Sequence, residues 1–572
     1  MFKLIRYLKG YFIPSAVAPV FKFMEALFEL IIPLVVARII DIGIAGGDTG
    51  YVYRMGGLMI GLGVTGFLCS TVCQYLAARS SLGYGTNLRR ALYRHINTFS
   101  FAELDRFGPA SLVTRLSNDI NQTQTAVAMF IRLVMRAPFI TIGSIVMAMM
   151  IDVKLSLIFL GGGVVIAVVL FVIMRGSVPF YKRAQKGLDR ITRLTQENLS
   201  GARVVKAFAK EGEEEADFNE AADDLARINI RVGRIAGLLN PLTYAVINLS
   251  VALIIWLGGK TVYYGDLTQG EIIALVNYLN QILLALVVIA NLVVTFTKAS
   301  ASAARINEVF AVSSTLREGE GAVPVPGAPA LVFDNVSFKY GADVGYSLEN
   351  ISFTLNAGET LGIIGGTGSG KSTLVNLIPR YYDAEGEIRI DGAPIQDYTA
   401  AQLQDKIAVV AQTAHLFSGT IADNLRFAKP DADEDEMREA LSVAQADFVF
   451  ESGEGLDRIV QAKGRNFSGG QKQRLSVARA VIKKPEILVL DDAASALDFA
   501  TEARLRAAIS RMPCAKVIVS QRIGSIKGAD KILVLDEGRA VGFGTHETLL
   551  TDCSPYAELN ALQSGGEPCA RP

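Results

Sequence analysis

A glycine-rich loop in the second half of the chain has the composition and spacing of a phosphate-binding site. Residues 365–373 match the pattern G-x-x-x-x-G-K-[ST], between a short apolar stretch at 361–364 and a helical pattern at 372–378. Glycine lets backbone N–H groups turn toward phosphate oxygens, lysine adds a positive charge, and a serine hydroxyl can bind Mg²⁺. The pattern therefore predicts a nucleoside triphosphate site formed by Gly365, Gly366, Thr367, Gly368, Ser369, Gly370, Lys371, Ser372 and Thr373.

A second motif, at residues 466–474, stands before a helical pattern at 475–481. Its central residues are Phe467, Ser468, Gly469, Gly470 and Gln471. Serine at a helix start caps the backbone, and the free N–H groups there can bind an anion. Alone, the motif also fits an ordinary capped helix. Together with the phosphate loop and an apolar strand that ends in Asp491, it resembles the signature loop of the ATP-binding cassette (ABC) family, usually L-S-G-G-Q.

Apolar residues concentrate in the N-terminal half of the chain. The 572 residues are 51% hydrophobic and 20% charged, and the formal net charge of zero gives no indication of a nucleic-acid partner. Six runs reach the roughly twenty apolar residues that cross a bilayer, at 16–41, 55–78, 126–150, 155–175, 238–260 and 272–295. Buried core helices of a large soluble protein are the alternative, but six such runs rarely occur together outside membranes. The chain is therefore predicted to lie in the lipid bilayer.

The distribution of positive charge indicates which side faces the cytoplasm. Lys3, Arg6 and Lys9 precede the first run, and further lysines and arginines follow the second and fourth runs. Cytoplasmic segments next to membrane spans carry such an excess. We therefore expect an integral protein of the cytoplasmic (plasma) membrane with both termini in the cytoplasm, where ATP is available.

The resemblance to ABC exporters covers nearly the whole chain. It implies an N-terminal all-α polytopic membrane domain with six transmembrane helices at 1–313 and a linker at 314–330. An α/β P-loop NTPase, the ABC nucleotide-binding domain, would follow at 331–572. The long basic loops that contain residues 106–119 and 197–208 resemble intracellular loops whose short coupling helices press on the nucleotide domains.

The family pattern implies roles for further residues. Tyr340 matches the aromatic residue that stacks on adenine. Gln412 and Asp491 match residues that contact Mg²⁺, together with Ser372 of the phosphate loop. Asp498 matches a residue of the loop that crosses to a partner domain. ATP and Mg²⁺ are the ligands that this resemblance implies.

Three positions depart from the family pattern. Asp492 replaces the glutamate that polarises the attacking water, Gln521 replaces the histidine that contacts the γ-phosphate, and Ala462 stands where a glutamate usually precedes the signature. Aspartate is one methylene shorter than glutamate, and a misplacement of roughly 1 Å can cost on the order of 10²-fold in rate. Glutamine can donate a hydrogen bond to phosphate but cannot become an imidazolium. Asp492 and Gln521 are therefore the candidate catalytic residues of a site that binds ATP better than it hydrolyses it.

ABC nucleotide domains pair head to tail, so that the signature loop of one domain completes the phosphate loop of the other. The resemblance thus implies the degenerate half of a heterodimeric, multidrug-type ATP-hydrolysing exporter. Its partner half-transporter would be a different chain that carries the catalytic glutamate and histidine. The expected substrate is an amphiphilic small molecule or lipid, moved out of the cytoplasm or the inner leaflet. Two alternatives stay open: a slow homodimeric exporter with two weak sites, and an ATP-gated regulatory membrane protein.

Charged residues inside the predicted spans are a further functional candidate. Glu25 and Glu29 lie one turn apart in the first run, and Arg132 and Arg136 lie one turn apart in the third. At about 1.5 Å of rise per residue, Glu25 and Arg136 both lie roughly 22–24 Å from the external ends of their spans. Intramembrane charges are usually paired or functional. We expect an ion pair or shared polar cluster of Glu25 with Arg136, with direct substrate contact as the alternative.

Overall fold

The chain folds into a helical unit and an α/β unit. The computed structural model describes residues 1–341, 344–451 and 453–564. The helical unit comprises Met1–Asn97 and Ala110–Ala311, and the α/β unit comprises Thr98–Pro109 and the chain from Val312 onward. A short segment of the N-terminal half therefore belongs to the α/β unit.

Helices form most of the chain up to Ala311, as expected for apolar segments that must satisfy their backbone polar groups internally. In chain order they are α1 (Phe12–Arg38), α2 (Thr49–Ile96), α3 (Phe101–Phe107), α4 (Pro109–Thr114), α5 (Ile120–Met129), α6 (Arg136–Ile151), α7 (Val153–Ser200), α8 (Ala202–Ala207), α9 (Glu211–Gly237), α10 (Leu239–Tyr263) and α11 (Gln269–Ala311). Between some of them lie π-helical segments at Ile39–Ile44, Arg115–Asp119 and Phe130–Val134, and a 3₁₀ helix at Phe2–Leu8 precedes α1.

In the described residues, five helical stretches are long and apolar enough to cross a membrane. They contain the second to sixth predicted runs and are Thr49–Ile96, Pro109–Ile151, Val153–Ser200, Glu211–Tyr263 and Gln269–Ala311. The first run corresponds to α1, which is apolar overall but is not among the five. Its central part carries Lys22, Glu25 and Glu29, and these charges set its composition apart from the others.

The charged residues of the spans pair with one another, although not in the expected combination. Arg136 on α6 donates to Glu29 on α1 at 2.7 Å, and Lys22 donates to Glu25 at 2.6 Å. The expected ion pair of Glu25 with Arg136 is therefore wrong. Lys22 is buried and lies three residues before Glu25 on the same helix face, so it already neutralises that carboxylate. An ion pair between the first and third spans is nevertheless present, but it uses Glu29 in place of Glu25.

The α/β unit contains two main sheets and a set of shorter helices. Its strands are β1 (Leu331–Phe338), β2 (Leu348–Leu355), β3 (Thr360–Gly365), β4 (Glu385–Ile390), β5 (Ala393–Pro394), β6 (Ile407–Val410), β7 (Gly419–Thr420), β8 (Ile459–Val460), β9 (Ile487–Asp491), β10 (Ala515–Val519), β11 (Lys531–Asp536) and β12 (Arg539–Gly544). Its further helices are α12 (Lys371–Leu377), α13 (Ala400–Lys406), α14 (Ile421–Arg426), α15 (Glu434–Val443), α16 (Phe448–Glu451), α17 (Gly469–Val481), α18 (Phe499–Ser510), α19 (Ile523–Ile526), α20 (His546–Asp552) and α21 (Ser554–Ser564).

The larger sheet brings the predicted nucleotide motifs to one edge. Its strand order is β12-β11-β3-β10-β9-β6, and β11, β3, β10, β9 and β6 run parallel. All five residues of β9 are buried, as expected for a parallel strand covered on both faces. Ligands of such sheets bind beyond the carboxyl ends of the strands. The ends of β3, β10 and β9 lead into the phosphate loop, Gln521 and Asp492, respectively.

The segment around α3 packs on other residues of the α/β unit. The Phe101 ring stacks on Tyr381 with centroids 4.3 Å apart, and the Tyr382 hydroxyl donates to Asp105 at 2.6 Å. Burial and the Asp105 carboxylate raise the pKa of Tyr382. These contacts come from residues just before the basic stretch at 106–119 that the sequence singled out. α3 begins at a capping box formed by Ser100 and Glu103, which the sequence analysis did not predict.

Candidate functional site

The phosphate loop adopts a conformation that requires glycine. Gly365 ends β3, Lys371 begins α12, and Gly370 caps that helix with φ of +95°, a left-handed value. A Cβ atom at position 370 would lie 2.7 Å from both the Leu348 side chain and the Ser347 carbonyl oxygen. Any larger residue would therefore displace the loop from the strand beside it. The predicted order of strand, loop and helix is present, and it places the loop residues together.

The Lys371 ammonium lies over its own loop. It donates to the carbonyl oxygens of Gly365 at 2.9 Å and Gly366 at 2.6 Å. Burial lowers the pKa of Lys371, and the nearby carboxylates of Asp491 and Asp492 oppose that shift. A cation held in a backbone cradle in this way is suited to an anionic ligand such as a polyphosphate.

Two consecutive carboxylates follow β9 and have different partners. Asp491 is buried beside the Ser372 hydroxyl, whereas Asp492 lies beside the side chain of Gln412. Burial raises the pKa of both groups; at Asp492 the Gln412 side chain and the charges of Arg522 and Lys371 act against it. The backbone of Asp492 has φ of +47°, an uncommon conformation for a non-glycine residue. The chain thus turns sharply where the catalytic carboxylate is expected.

Gln521 follows β10, and its backbone is held by a residue from the end of the chain. The Gln563 amide on α21 donates to the Gln521 carbonyl oxygen at 2.8 Å and accepts from the Ile523 N–H at 2.8 Å. Gln521 and Asp492 line one cavity of about 190 Å³, and the phosphate loop contributes no residue to its lining. Sequence reasoning missed Gln563, because no motif marks it.

The signature loop is a capping box. The Ser468 Oγ accepts from the Gln471 N–H at 3.3 Å, and the Gln471 Oε1 accepts from the Ser468 N–H at 2.9 Å. Gly470 packs so closely on the following loop that a Cβ would lie 2.9 Å from the Ala496 carbonyl oxygen. Phe467 is buried in the adjoining core. In the described part of the chain, no hydrogen bond joins these residues to the phosphate loop.

The loop predicted to cross to a partner domain is hydrogen-bonded to α17, the helix that begins in the signature loop. The buried Gln473 on α17 donates to Ser495 Oγ at 3.2 Å and accepts from the Ala496 N–H at 3.1 Å. Asp498 caps α18 by accepting from the Thr501 N–H at 2.9 Å, and that backbone bond lowers its pKa. The motif at 466–474 contains Gln473, but its spacing gave no signal for this contact.

Tyr340 is about half exposed, and its side chain contacts two aromatic rings and the phosphate loop. The residue is 51% exposed, and its ring packs edge-on to Phe338 and Tyr382. Its hydroxyl donates to Thr373 Oγ1, at the start of α12, at 3.2 Å. The exposed ring is available for stacking, while the hydroxyl ties it to the phosphate loop.

Comparisons with known proteins agree with this geometry. Residues 16–286 match the family described as ABC transporter transmembrane region, and residues 348–495 match that described as ABC transporter. An uncharacterized ABC transporter ATP-binding protein of Mycobacterium tuberculosis is 40% identical over 554 residues, covering 95% of this chain and 94% of that protein. The chain belongs to the ABC transporter family.

A further relative and a solved structure are similar to the transporter over most of its length. An ATP-dependent lipid A-core flippase of Hahella chejuensis is 31% identical, covering 88% of this chain and 87% of that protein. A bacterial Atm1-family ABC exporter solved with ATP bound superposes with a TM-score of 0.77 at 25% identity, covering 99% of each chain. The predicted fold class, a helical membrane domain followed by an ABC nucleotide-binding domain, is confirmed. The transporter is an ATP-hydrolysing membrane protein with the exporter fold.

The residues of the transporter fit an Mg²⁺ ion beside the nucleotide. Ser372, Gln412 and Asp491 offer a hydroxyl, an amide carbonyl and a carboxylate, which are the oxygen ligands that Mg²⁺ prefers. The Ser372 hydroxyl favours the ionised form of Asp491, so the two side chains lie next to each other in the site. Bound there, Mg²⁺ would neutralise charge on the phosphates. The protein residues hold and orient the oxygens around that position.

Proposed function

We propose that this chain is the degenerate half of a heterodimeric ABC exporter. The observation that carries the proposal is the pair Asp492 and Gln521. The two residues line one cavity and stand at the sequence positions where the family pattern has glutamate and histidine. A carboxylate that is one methylene shorter is poorly placed to polarise a water molecule, and glutamine carries no positive charge toward the γ-phosphate. ATP binding depends on the backbone cradle and Lys371, which are complete.

The intact signature loop supports a role in a second, competent site. Ser468 is preset as the cap of a helix of 13 residues, and its loop makes no hydrogen bond to the phosphate loop of its own chain in the described residues. In a head-to-tail pair it would face the phosphate loop of the partner. The partner would be another half-transporter with the catalytic glutamate and histidine.

The exposed surface of α8 supports docking on a second subunit. This short helix lies in the second long loop and buries none of its residues, while Val204 and Phe208 are 61% and 73% exposed. Apolar side chains at such a site are typical of an interaction surface. We infer that α8 is the coupling helix that contacts the partner's nucleotide domain.

We further infer the orientation and substrate class. The basic segments at the N-terminus and after the second and fourth runs support an orientation with both termini in the cytoplasm. The exporter fold and the flippase relative support an amphiphilic small molecule or lipid, moved out of the cytoplasm or inner leaflet. Closure of the nucleotide domains on ATP would drive the switch between inward-facing and outward-facing states.

Measurement of ATPase activity with and without a partner tests the proposal. The chain alone in nanodiscs should hydrolyse ATP only slowly, and co-purification with a partner half-transporter should restore turnover. The matched variant Asp492→Glu with Gln521→His should raise the activity of the chain alone, because it restores both expected groups. Robust activity of the unaltered chain alone would overturn the proposal in favour of a homodimeric exporter.

A further inference from the structure

The charges within the membrane spans do not balance. Away from the ends of the predicted spans, the sequence places three cations, Lys22, Arg132 and Arg136, and two carboxylates, Glu25 and Glu29. The ion pairs Lys22–Glu25 and Arg136–Glu29 use both carboxylates. One positive charge is therefore left over, and it belongs to Arg132.

Arg132 is held only by neutral groups in the described structure. Its Nη1 donates to the Gln74 Oε1 on α2 at 2.6 Å, and its Nε donates to the Ala128 carbonyl oxygen at 3.4 Å. No carboxylate of the described residues forms an ion pair with it. A half-buried guanidinium that forms no ion pair is rare in a span and marks a candidate ligand site. The structure thus contains a cation that lacks its counter-charge.

The backbone at Arg132 is also unusual. Arg132 lies in the π-helical segment Phe130–Val134, which interrupts the third span between α5 and α6. Single π-helical turns inside α-helices often occur at functional sites. The irregular turn and the unpaired charge coincide in one residue, although they are independent observations.

We propose that Arg132 binds the anionic head group of the amphiphile that the protein exports. The proposal rests on the proposed export function and narrows its substrate to amphiphiles with a phosphate or carboxylate group. The planar guanidinium can form two parallel hydrogen bonds with such a group. An anion at this position would bring the net charge of the five intramembrane residues to zero.

The depth of Arg132 fits a substrate taken from the inner leaflet. It stands roughly 27 Å from the external end of its span, at about 1.5 Å of rise per residue, in a hydrocarbon core of about 30 Å. On the proposed orientation, this places the guanidinium close to the inner head-group region. A lipid-like anion could therefore reach it while its chain stays in the apolar part of the bilayer.

Binding of matched single-chain amphiphiles without nucleotide tests the proposal. Dodecyl phosphate, dodecylphosphocholine and dodecyltrimethylammonium share one chain and differ in charge, and each would be titrated into the transporter in phosphatidylcholine nanodiscs. Wild type should prefer dodecyl phosphate, and Arg132→Gln should weaken its binding by about tenfold or more, as expected for loss of a charge-assisted pair. Arg132→Lys should keep most of the preference, because it keeps the charge.

A second variant separates charge from folding. Gln74→Glu has nearly the same shape as the native side chain and places a carboxylate on Arg132, so it should remove the preference for dodecyl phosphate while Arg132 stays in place. Arg54→Gln removes an exposed cation of α2 and should leave binding unchanged. Equal binding of all three amphiphiles to wild type, or an unchanged preference in Gln74→Glu, would overturn the role of Arg132 and leave amphiphile export standing. Binding of none of them would overturn the proposed substrate class itself.

Discussion

The side chain of Gln412 lies next to the carboxylate of Asp492 and favours its ionised form. The two residues follow neighbouring strands, since β6 and β9 pair in parallel, and their contact joins the proposed Mg²⁺ ligand to the proposed catalytic position. At Asp492 the amide opposes the rise in pKa that burial causes, so it lowers the basicity of the group expected to polarise water. The contact therefore favours the weak hydrolysis proposed for this chain.

Substitutions in the signature loop and at Asp492 should have unequal effects in the heterodimer. Ser468→Ala should lower ATP turnover roughly 10²- to 10³-fold, as for loss of one preorganised donor at a transition state. Asp492→Ala should cost far less, since little turnover occurs at its own site. Lys371→Ala should fall between them, because it weakens the ATP clamp. The measurement is steady-state ATPase of the purified pair.

The reverse order of effects would identify Asp492 as a working catalytic base. If Asp492→Ala silences the pair and Ser468→Ala is tolerated, the assignment of a degenerate half has to be withdrawn. Expression and nucleotide binding of each variant serve as the control for folding.

Replacement of Tyr340 should separate its ring from its hydroxyl. Tyr340→Ala should weaken ATP binding by the equivalent of about 1–3 kcal/mol, by analogy with stacking on nucleic-acid bases. Tyr340→Phe keeps the ring and loses only the hydrogen bond to Thr373, which is partly exposed and worth about 0.5–1.5 kcal/mol. It should therefore weaken ATP binding less than Tyr340→Ala does. Binding of a fluorescent ATP analogue measures both, and equal losses would show that the hydroxyl, rather than stacking, matters.

The sequence predicted those parts of the site that are local in the chain. The phosphate loop, the signature loop and the strand ending in Asp491 can each be recognised in a segment of ten residues or fewer, because turn and cap chemistry is local. Gln563 and Gln473 were missed, since each acts on a backbone segment far along the chain and no spacing rule marks such a contact. The predicted partner of Glu25 was wrong because Lys22, three residues before it on the same helix, pairs with it.

Glu103 should stabilise the α/β unit in a pH-dependent way. Burial opposes its ionisation, but hydrogen bonds from Ser100 and Thr315 outweigh burial and lower its pKa. A lowered pKa means that the stabilisation is present above the usual glutamate pKa of about 4.3 and is lost as the pH falls through the folded value. Glu103→Gln should therefore destabilise the protein by about 1–3 kcal/mol at pH 7.

Thermal unfolding of the purified transporter from pH 7 downward measures this effect. The difference between wild type and Glu103→Gln should narrow as the pH falls into the acid range. Glu349→Gln removes a more exposed ion pair with Arg539 and should shift the unfolding temperature little at any pH. A difference for Glu103→Gln that does not change with pH would show that its charge is not the source of the stability.

Gln563 should control ATP binding from outside the nucleotide site. Its side-chain amide holds the carbonyl of Gln521 and the N–H of Ile523, so Gln563→Ala should loosen the residue proposed to face the γ-phosphate. Two lost hydrogen bonds to partly exposed groups predict an ATP affinity lower by about 2- to 10-fold. The affinity for ADP, which lacks that phosphate, should stay unchanged. Asn560→Ala on the same helix is the matched control, and both affinities are measured by titration of the purified transporter. Equal weakening of ATP and ADP would mean that Gln563 supports the domain as a whole rather than the position of Gln521.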